Sequence, residues 1–413
     1  MRSSDEDQNE KEGKASLLDE LLKRERWEEF LDHKKTKSYL PKKVIDGFES
    51  FMICGGHKAI SEEICNGTYI FSIPRKRQIN KTKTGKKRDV YTYTNDETIM
   101  LKVISHLLHA HDDMFPPNLY SFRSAFGVKK AMNDLMRTKG LADMYGYKVD
   151  IKNYFNSVNV EKLLKELKDA LADDERLYEL IERILSDTHV TFRDEVIEEQ
   201  KGIMAGVPIS AFLANFYLKD MDWHFFNEDV MYMRYADDMI IFANTEEQIR
   251  EHRGTILSFL GGNDLSVNPS KEFFYAPGEK FEFLGFSYMN GIIDLSDATV
   301  MKIKAKIRRA SRTIRRWSAR KKVTEDSSLR TMIKKFDRKF FGKEENELSW
   351  KYWFFPTINT DAGLKEVDAY MQDRLRYLVT GKNNKKNHEH VPYQRLKGCG
   401  YRSLVHEFHS GRK

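Results

Sequence analysis

The stretch RYADDMIIF, residues 234–242, sets two adjacent acids between apolar residues. Side chains of a β-strand alternate between its two faces, and the apolar residues on both sides of the acids favour burial. Ala236, Asp237 and Asp238 are therefore predicted to form the tight turn of a β-hairpin. Two carboxylates at one tip repel each other unless a cation lies between them. The stretch indicates a metal site, although Asp is also a favoured residue of ordinary turns.

A third acid, Asp150, lies in GYKVDIKNYFNSV, residues 146–158. The alternating pattern predicts a strand whose apolar residues face a core while Asp150 faces the opposite side. If this strand is a neighbour of the hairpin, Asp150 converges with Asp237 and Asp238. Three such carboxylates suit two Mg²⁺ ions, which lower the pKa of an attacking 3′-hydroxyl and stabilise charge on a leaving pyrophosphate.

The composition narrows the functional class. The chain has 413 residues and a formal net charge of +7. Its three cysteines, Cys54, Cys65 and Cys399, lie far apart in no metal or disulfide framework, which is typical of the reducing cytoplasm. No apolar run is long enough to span a bilayer, and the first residues are polar and acidic rather than a signal peptide. A soluble cytoplasmic protein without a membrane partner is expected.

Basic residues are clustered rather than spread evenly. Residues 75–88 contain eight basic side chains and no acid, and residues 302–322 contain eleven and no acid. Such blocks repel themselves on a folded surface unless a polyanion neutralises them. Nucleic acid is the expected partner.

Hydrophobic periodicity and turn residues predict a mixture of helices and hairpins. Ser16 is predicted to cap a helix with Leu18, Leu21, Leu22 and Phe30 on one side. The predicted hairpins span 68–94, with a basic loop, and 230–243, and a third turns at Asn290-Gly291. The predicted helices cover 96–112, 127–138, 160–171, 176–186, 246–260 and, as one helix, ISAFLANFYLKDMDWHFF, residues 209–226. This order predicts an α+β fold, an antiparallel sheet with helices on one face, and beyond residue 297 the chain is predicted to be helical and basic.

These motifs resemble those of one enzyme family. Asp150, the YADD turn, GIMAGVPISAFLANFYL (202–218), the loop NPSK (268–271) and FLGF (283–286) occur in the order found in reverse transcriptases. The similarity runs from about residue 70 to 290 and is greatest to the bacterial group II intron, retron and defence-associated enzymes. The ending GCGYRSLVHEF, residues 398–408, resembles the C-terminal segment of the defence-associated "unknown group" reverse transcriptases.

The resemblance implies a right-hand polymerase fold with fingers, palm and a helical thumb. The implied domains are an N-terminal extension (1–40, a disordered tail plus a helix), fingers (41–145), palm (146–296), and a basic helical thumb with the C-terminal segment (297–413). The implied function is RNA-directed DNA polymerisation, making cDNA from dNTPs on a dedicated structured noncoding RNA in an antiphage defence system. Protein-primed or template-independent DNA synthesis and a catalytically retired RNA-binding scaffold are the alternatives, and the oligomeric state is left open.

Site roles are carried over by the same resemblance. Asp150, Asp237 and Asp238 are implied to be the catalytic acids and, together with Ile151, to hold two Mg²⁺ ions, with Mn²⁺ as the alternative metal. Nucleotide binding is implied for Arg75 and Arg88, which would grip the triphosphate, for Phe155 as a steric gate against a ribose 2′-hydroxyl, for Gly206 beside the nascent pair, and for Lys271 near the leaving pyrophosphate. Nucleic-acid contacts are implied for Arg123, Leu284, Gly285, Arg308, Arg309, Arg312, Arg315 and Arg316.

Three of these assignments have an alternative explanation that involves no ligand. Phe155 could be a core side chain, Arg123 could be structural, and the basic thumb helix with its apolar stripe (Ile303, Ile307, Ala310, Ile314, Trp317) could simply present a solvated face. One position departs from the family pattern: Met204-Ala205-Gly206 stands where relatives carry Pro-Gln-Gly. The missing Gln amide puts the usual contacts to nucleotide or template in doubt.

Overall fold

The computed structural model describes residues 15–37, 42–80, 87–342, 349–382, 384 and 386–411. The predicted tail at 1–14 and the basic loop at 81–86 lie outside these residues. The chain divides into two compact units. Of the described residues, unit 1 comprises 15–35, 42–80, 87–127 and 147–273, and unit 2 comprises 36–37, 128–146, 274–342, 349–382, 384 and 386–411.

The helices and strands follow one another in a mixed α+β order. In the first half of the chain they are α1 (Arg24–Lys37), α2 (Lys42–Ile53), α3 (Gly56–Cys65), β1 (Arg75–Asn80), β2 (Lys87–Thr92), α4 (Asn95–Leu107), α5 (Val128–Arg137), β3 (Tyr145–Asp150), α6 (Tyr154–Ser157), α7 (Val160–Ala170), α8 (Glu175–Ser186), β4 (His189–Phe192) and β5 (Glu195–Glu198). In the second half they are α9 (Ser210–Phe216), α10 (Lys219–Asn227), β6 (Tyr232–Tyr235), β7 (Asp238–Ala243), α11 (Glu246–Gly262), β8 (Phe273–Tyr275), β9 (Phe281–Phe283), β10 (Phe286–Met289), β11 (Ile292–Leu295), α12 (Asp297–Lys321), α13 (Glu325–Phe341), α14 (Trp350–Trp353), α15 (Ala362–Thr380), α16 (Asn387–His390), α17 (Tyr393–Gly398) and α18 (Leu404–Ser410). Short 3-10 helices cover Leu17–Leu22, Leu108–Met114, Leu141–Asp143 and Pro269–Lys271.

The YADD hairpin belongs to a sheet with the strand order β6-β7-β3-β8. Val149 and Ile151 are buried, as are Ile240 and Ile241, whereas Asp150 stays half-buried on the other side of its strand. In β3 the burial of Val149 between the half-buried Lys148 and Asp150 fixes the register, since a shift of one residue would move Val149 to the polar side. The predicted alternation around Asp150 is confirmed.

A second sheet of unit 1 has the order β2-β1-β4-β5. The strands β1 and β2 form the predicted antiparallel hairpin. The pair β4 and β5, which the sequence did not predict, is joined by Arg193 and Asp194, both with positive φ. Strand β5 is mostly exposed, so it lacks the apolar alternation by which a strand is predicted.

Two helix predictions need correction. The single helix expected over 209–226 is broken into α9 and α10 at Leu218, which has φ −120° and ψ 15°. Ser16 does cap a helix, with a capping box to Asp19, but that helix is a 3-10 helix. Its Leu22 is 53% exposed rather than part of the buried side, because the 3-10 helix has three residues per turn and rotates this side chain away.

Unit 2 contains the sheet β11-β10-β9 and the long helix α12. The predicted turn between β10 and β11 is confirmed, with Asn290 and Gly291 at φ 48° and 80°. The stripe along α12 is buried from Ile303 to Ile314, and Trp317 at its end is half-buried.

A buried carboxylate fastens the C-terminal segment to α15. Asp368 is 5% exposed. Its oxygens accept hydrogen bonds from the hydroxyls of Tyr401 (2.8 Å) and Ser403 (2.5 Å) and from the N–H groups of Leu404 (2.9 Å) and Val405 (3.1 Å). These donors stabilise a charge that burial would otherwise make costly.

A helix that crosses a bilayer needs about 20 consecutive, predominantly apolar residues. Within the described ranges, no helix is both long enough and apolar enough to cross a membrane.

Candidate active site

The turn of the YADD hairpin consists of Ala236 and Asp237. Strands β6 and β7 pair in antiparallel register up to Tyr235 and Asp238, so Asp238 is the first residue of β7. Ala236 has φ +56°, a left-handed conformation that is uncommon for a residue with a Cβ atom. The two acids are thus set at the tip of the hairpin and at the start of the returning strand.

Asp150 ends β3, the strand beside β7. The N–H of the following residue, Ile151, donates to the carbonyl of Asp237 at 3.0 Å. Burial raises the pKa of Asp237, and the nearby charge of Asp150 raises it further. The structure therefore brings Asp150 and Asp237 together across neighbouring strands, and their role as metal ligands stays a prediction.

Two lysines partly offset the negative charge of the acids. The ammonium of Lys271 lies 2.5 Å from the Asp150 carboxylate, and that of Lys148 lies 3.4 Å from the Asp238 carboxylate. Burial nevertheless raises the pKa of Asp238 to about 6, against the lowering effect of Lys148. The ordinary pKa of Asp is about 4, so the surroundings of Asp238 disfavour its charged form.

A divalent cation fits this set of donors by charge and chemistry. Within the described part of the chain, no three His, Cys, Asp or Glu side chains are arranged as they stand to hold a metal ion. Yet carboxylate oxygens are the ligands that Mg²⁺ prefers, and the raised pKa of both Asp237 and Asp238 marks a place where added positive charge is favourable. Asp150, Asp237 and Asp238, with the adjoining backbone of Ile151, would hold such an ion.

One face of the β1–β2 hairpin carries three arginines. Alternation along β1 places Arg75 and Arg77 on the same face, and the cross-strand partner of Ile79 on this face is Arg88. None of the three arginines forms an ion pair with another residue of the described ranges, and the charge of Arg88 lowers the pKa of Asp237. Positive charge without a partner close to the acids is suited to a phosphate group.

On the opposite face of the same hairpin, the basic side chain is paired with acidic side chains. Lys76 forms ion pairs with Asp89, at 3.3 Å, and with Glu199. The Tyr91 hydroxyl also donates to Glu199, at 2.5 Å. Sequence reasoning treated the basic run as one block and missed Arg77, although the alternation of a strand would have separated Arg77 from Lys76.

Three aromatic rings lie around the YADD turn. The ring of Phe155 is 6.3 Å from that of Phe122, which is in turn 6.3 Å from the ring of Tyr235. Phe122 has φ +56° and is 42% exposed. Sequence reasoning missed Phe122, because no local pattern signals an exposed ring on a strained backbone.

The loop before α9 is packed against β2 through its backbone. The Tyr91 N–H donates to the Ala205 carbonyl at 2.9 Å, and the Ala205 N–H donates to the Asn156 side chain at 3.1 Å. Gly206 has φ +104°, and a Cβ atom there would lie 3.0 Å from the Tyr91 carbonyl oxygen. The close approach that requires glycine here is to the strand that carries Arg88.

Residues 76–288 match the model of the reverse transcriptase (RNA-dependent DNA polymerase) family. The chain belongs to this family. The match covers just over half of the 413 residues and confirms the predicted α+β right-hand polymerase fold and the predicted family. No curated protein matches the chain.

Two solved structures are similar to this chain at low identity. The apo telomerase of Candida tropicalis, truncated from its C-terminal domain, has 13% identity, a TM-score of 0.45, and 55% of each chain covered. The telomerase of Candida albicans, in complex with a fragment of telomeric RNA, has 11% identity and a TM-score of 0.44. That alignment covers 83% of this reverse transcriptase and 66% of the telomerase, so in neither case does the chain reach two thirds of the telomerase length.

The Arg123 guanidinium is hydrogen-bonded to carbonyls of its own segment of the chain. Its guanidinium donates to the carbonyls of Asp112 (2.9 Å), Pro116 (2.7 Å) and Leu119 (3.3 Å). It also lies 4.0 Å from the centre of the Phe126 ring. This geometry favours the structural alternative for Arg123 over a contact with a template.

The remaining predicted residues lie in unit 2 of the reverse transcriptase. Leu284 and Gly285 both have positive φ and form the turn between β9 and β10, and the Gly285 carbonyl accepts hydrogen bonds from the start of α12. Arg315 donates to carbonyls of α15 at 3.2 and 3.4 Å. The other four arginines of the predicted nucleic-acid surface are exposed along α12: Arg308, Arg309, Arg312 and Arg316. Arg315 is therefore a packing contact within unit 2.

Proposed function

We propose that this reverse transcriptase copies RNA into DNA by adding dNTPs to a primer 3′ end. The observation that carries the proposal is the meeting of Asp150 and Asp237 on neighbouring strands, with the Ile151 N–H 3.0 Å from the Asp237 carbonyl. A group of acids under the influence of the Arg88 charge is suited to phosphoryl transfer, in which positioning and charge stabilisation supply most of the catalysis.

Each part of the site has a role in this proposal. Arg75, Arg77 and Arg88 bind the triphosphate by charge-assisted hydrogen bonds. The Phe155 ring excludes a ribose 2′-hydroxyl. Asp150, Asp237 and Asp238 hold Mg²⁺, which when bound lowers the pKa of a primer hydroxyl and offsets charge on the leaving pyrophosphate.

The domain division also belongs to the proposal. Residues 41–145 serve as fingers, 146–296 as palm and 297–413 as thumb with the C-terminal segment, and 1–40 form an N-terminal extension. The exposed arginines of α12 carry positive charge suited to the backbone of an RNA–DNA duplex.

The biological setting is inferred from the resemblance of residues 398–408 to defence-associated enzymes. We infer a dedicated structured noncoding RNA as template, cDNA as product and an antiphage role in the bacterial cytoplasm. The three free thiols, Cys54, Cys65 and Cys399, are compatible with a reducing compartment. Sequencing the nucleic acid that copurifies with the protein tests this inference, and recovery of only random cellular RNA contradicts it.

Primer extension on an RNA template with Mg²⁺ and dNTPs tests the activity. The wild type is expected to extend the primer, and Asp237→Asn is expected to lose at least about 1,000-fold in rate, since removing a principal charge-stabilising group has effects of that order. The matched control is Asp169→Asn, an exposed aspartate on α7, which should extend normally.

Reactions that omit the RNA template or the primer distinguish templated polymerisation from the alternative activities. Synthesis without an RNA template would favour template-independent addition, and synthesis without a primer would favour protein priming. Equal extension by the wild type and Asp237→Asn would remove the enzyme interpretation as drawn here.

A further inference from the structure

A buried ion pair lies directly behind the YADD turn. Asp222 on α10 and Arg234 on β6 both have fully buried side chains, and the Arg234 Nη2 lies 2.5 Å from the Asp222 Oδ2. The Arg234 Nε also donates to the same carboxylate, at 2.8 Å from its Oδ1. Taking two charges out of water is so costly that such a pair seldom adds stability compared with apolar residues of similar size. A role other than stability is therefore worth seeking.

The remaining N–H groups of the Arg234 guanidinium donate to backbone carbonyls. Nη2 donates to the Asn215 carbonyl at 3.1 Å, and Nη1 faces the carbonyls of Ala214 at 3.5 Å and Ala236 at 3.3 Å. An arginine has five N–H donors in a rigid planar fork, so here every donor has an acceptor. Asp222 thus fixes the orientation of the fork, and the fork reaches the middle of the catalytic turn.

The other side of Ala236 is held as well. Its N–H donates to the Ser121 hydroxyl at 2.9 Å, and that hydroxyl donates to the Asn215 side chain at 3.0 Å. The Asn215 amide in turn donates to the Ser121 carbonyl at 2.8 Å. Both the N–H and the carbonyl of Ala236 are therefore fixed by buried polar groups.

Ala236 needs such a clamp because of its conformation. A left-handed backbone at a residue with a Cβ atom costs roughly 1–2 kcal/mol, and Ala236 has φ +56°. The next residue is Asp237, whose carbonyl is bonded to Ile151 beside Asp150. If Ala236 relaxed to negative φ, the Asp237 side chain would swing away from Asp150.

We propose that the buried Asp222–Arg234 pair is a positioning device that, with Ser121 and Asn215, holds the strained Ala236 turn and so keeps Asp237 opposite Asp150. The rate measurements that test this inference rest on the proposed polymerase function. The pair contacts neither substrate nor metal in this role and acts through the turn alone.

The decisive variant replaces the clamp without leaving an unpaired charge. Because the Tyr232 hydroxyl donates to Asp222 at 3.0 Å, the triple variant Asp222→Leu, Arg234→Met, Tyr232→Phe removes both charged side chains and this hydroxyl together. Apolar residues of similar size usually preserve stability at such a site, so its melting temperature should stay within a few degrees of the wild type. Its kcat should fall about 100-fold, the effect of a misplacement of about 1 Å, while KM for dNTPs changes less than about threefold. The control is Tyr232→Phe alone, which keeps the Asp222–Arg234 pair, so its loss of kcat should be much smaller than that of the triple variant.

A second readout does not depend on turnover. Calorimetric titration of the unliganded protein with Mn²⁺ should give at least about tenfold weaker binding for the triple variant, because the acids no longer converge. Ser121→Ala releases the turn from its other side and should weaken Mn²⁺ binding and kcat in the same direction. A folded triple variant with wild-type kcat and wild-type Mn²⁺ affinity would overturn the inference.

Two further experimental outcomes have a definite meaning for the clamp and for the proposed function. If the triple variant does not fold, Ser121→Ala and Arg234→Lys decide: unchanged Mn²⁺ affinity in both rejects the clamp, and reduced affinity in both supports it. If the wild type shows no RNA-templated synthesis, the proposed function fails, while the Mn²⁺ titrations still judge the clamp.

Discussion

The ammonium of Lys271 and the carboxylate of Asp150 lie 2.5 Å apart, although 121 positions separate them in sequence. Lys271 is 53% exposed on its side chain, so it can leave Asp150 by rotating into solvent. The Lys271 ammonium supplies beside Asp150 the positive charge that a bound metal ion would also supply. The lysine and a divalent cation should therefore compete for the same carboxylate.

Replacing Lys271 by Met is expected to tighten Mn²⁺ binding to the unliganded protein. The gain should be about fivefold, equivalent to about 1 kcal/mol for an exposed charge interaction. The same variant should show a higher KM for dNTPs if Lys271 also contacts the leaving pyrophosphate. Calorimetry and steady-state kinetics measure the two effects, with Lys165→Met on the exposed side of α7 as the control. Unchanged Mn²⁺ affinity would show that the two do not compete.

Asn156 links the loop at Ala205 to strand β2. Its amide donates to the Asp89 carbonyl at 3.3 Å, and its side-chain oxygen accepts the Ala205 N–H at 3.1 Å. Asn156→Ala should lower the free energy of unfolding by about 1–3 kcal/mol, because buried groups lose their partners.

The same Asn156→Ala variant should raise KM for dNTPs, since β2 carries Arg88. Urea unfolding and dNTP kinetics measure the two effects. Ser157→Ala is the neighbouring control, since its hydroxyl makes only an exposed 3.4 Å contact. A variant that loses stability but keeps its KM would show that Asn156 does not position the arginine.

Gly206 and Gly254 offer a matched pair of glycine substitutions. At Gly206, alanine combines φ +104° with a Cβ atom 3.0 Å from a backbone oxygen, so Gly206→Ala should destabilise the protein by about 1–3 kcal/mol. Gly254 lies in α11 with open space around its Cβ position, so Gly254→Ala should stabilise it by up to about 1 kcal/mol. Chemical denaturation measures both, and effects of the same sign would contradict this account.

His106 predicts a pH dependence of stability. Burial lowers its pKa to about 4, and the nearby charges of His33, His109 and Lys34 add to the effect. Its ring stacks on that of His33, with centroids 5.1 Å apart. Between the ordinary value of 6.5 and about 4 the unfolded chain binds more protons, so stability present above pH 6.5 is lost as the pH falls.

The expected size of this loss is about 1–2 kcal/mol, reduced from the full shift because His106 is only half-buried. Urea unfolding at pH 7 and pH 5 measures it. His106→Gln should flatten the difference between the two pH values. A variant with the same pH dependence as the wild type would assign the effect to other groups.

The parts of the site that the sequence predicted are those encoded locally. The YADD hairpin follows from apolar strands on both sides of two turn residues, and the strand at Asp150 follows from alternation alone. That the two strands are neighbours was only a condition of the sequence interpretation, and the strand order β6-β7-β3-β8 confirms it. The break at Leu218 was missed because residues 209–226 contain no glycine or proline to mark it, and apolar residues recur on both sides of it.

The electrostatic partners of the acids could not be predicted in the same way. Lys148 and Lys271 reach Asp238 and Asp150 only after the sheet has formed, and no spacing in the sequence encodes such contacts. The Asp222–Arg234 pair depends on the packing of α10 behind β6 for the same reason. For Arg123 a motif implied a template contact, whereas in the structure both terminal nitrogens of the guanidinium donate to the chain's own carbonyls, and the implied template contact stays a prediction.

The carboxylate of Asp368 has a practical consequence for shortening this protein. Its hydroxyl and N–H donors all lie between Tyr401 and Val405, so a chain cut at Gly400 would keep the acid and lose everything that solvates it. Trimming the last dozen residues, a common step in preparing a protein for crystals, would leave a bare anion inside α15's packing interface. Anyone who designs a shorter version should keep the chain through Val405 or exchange Asp368 for an apolar residue at the same time.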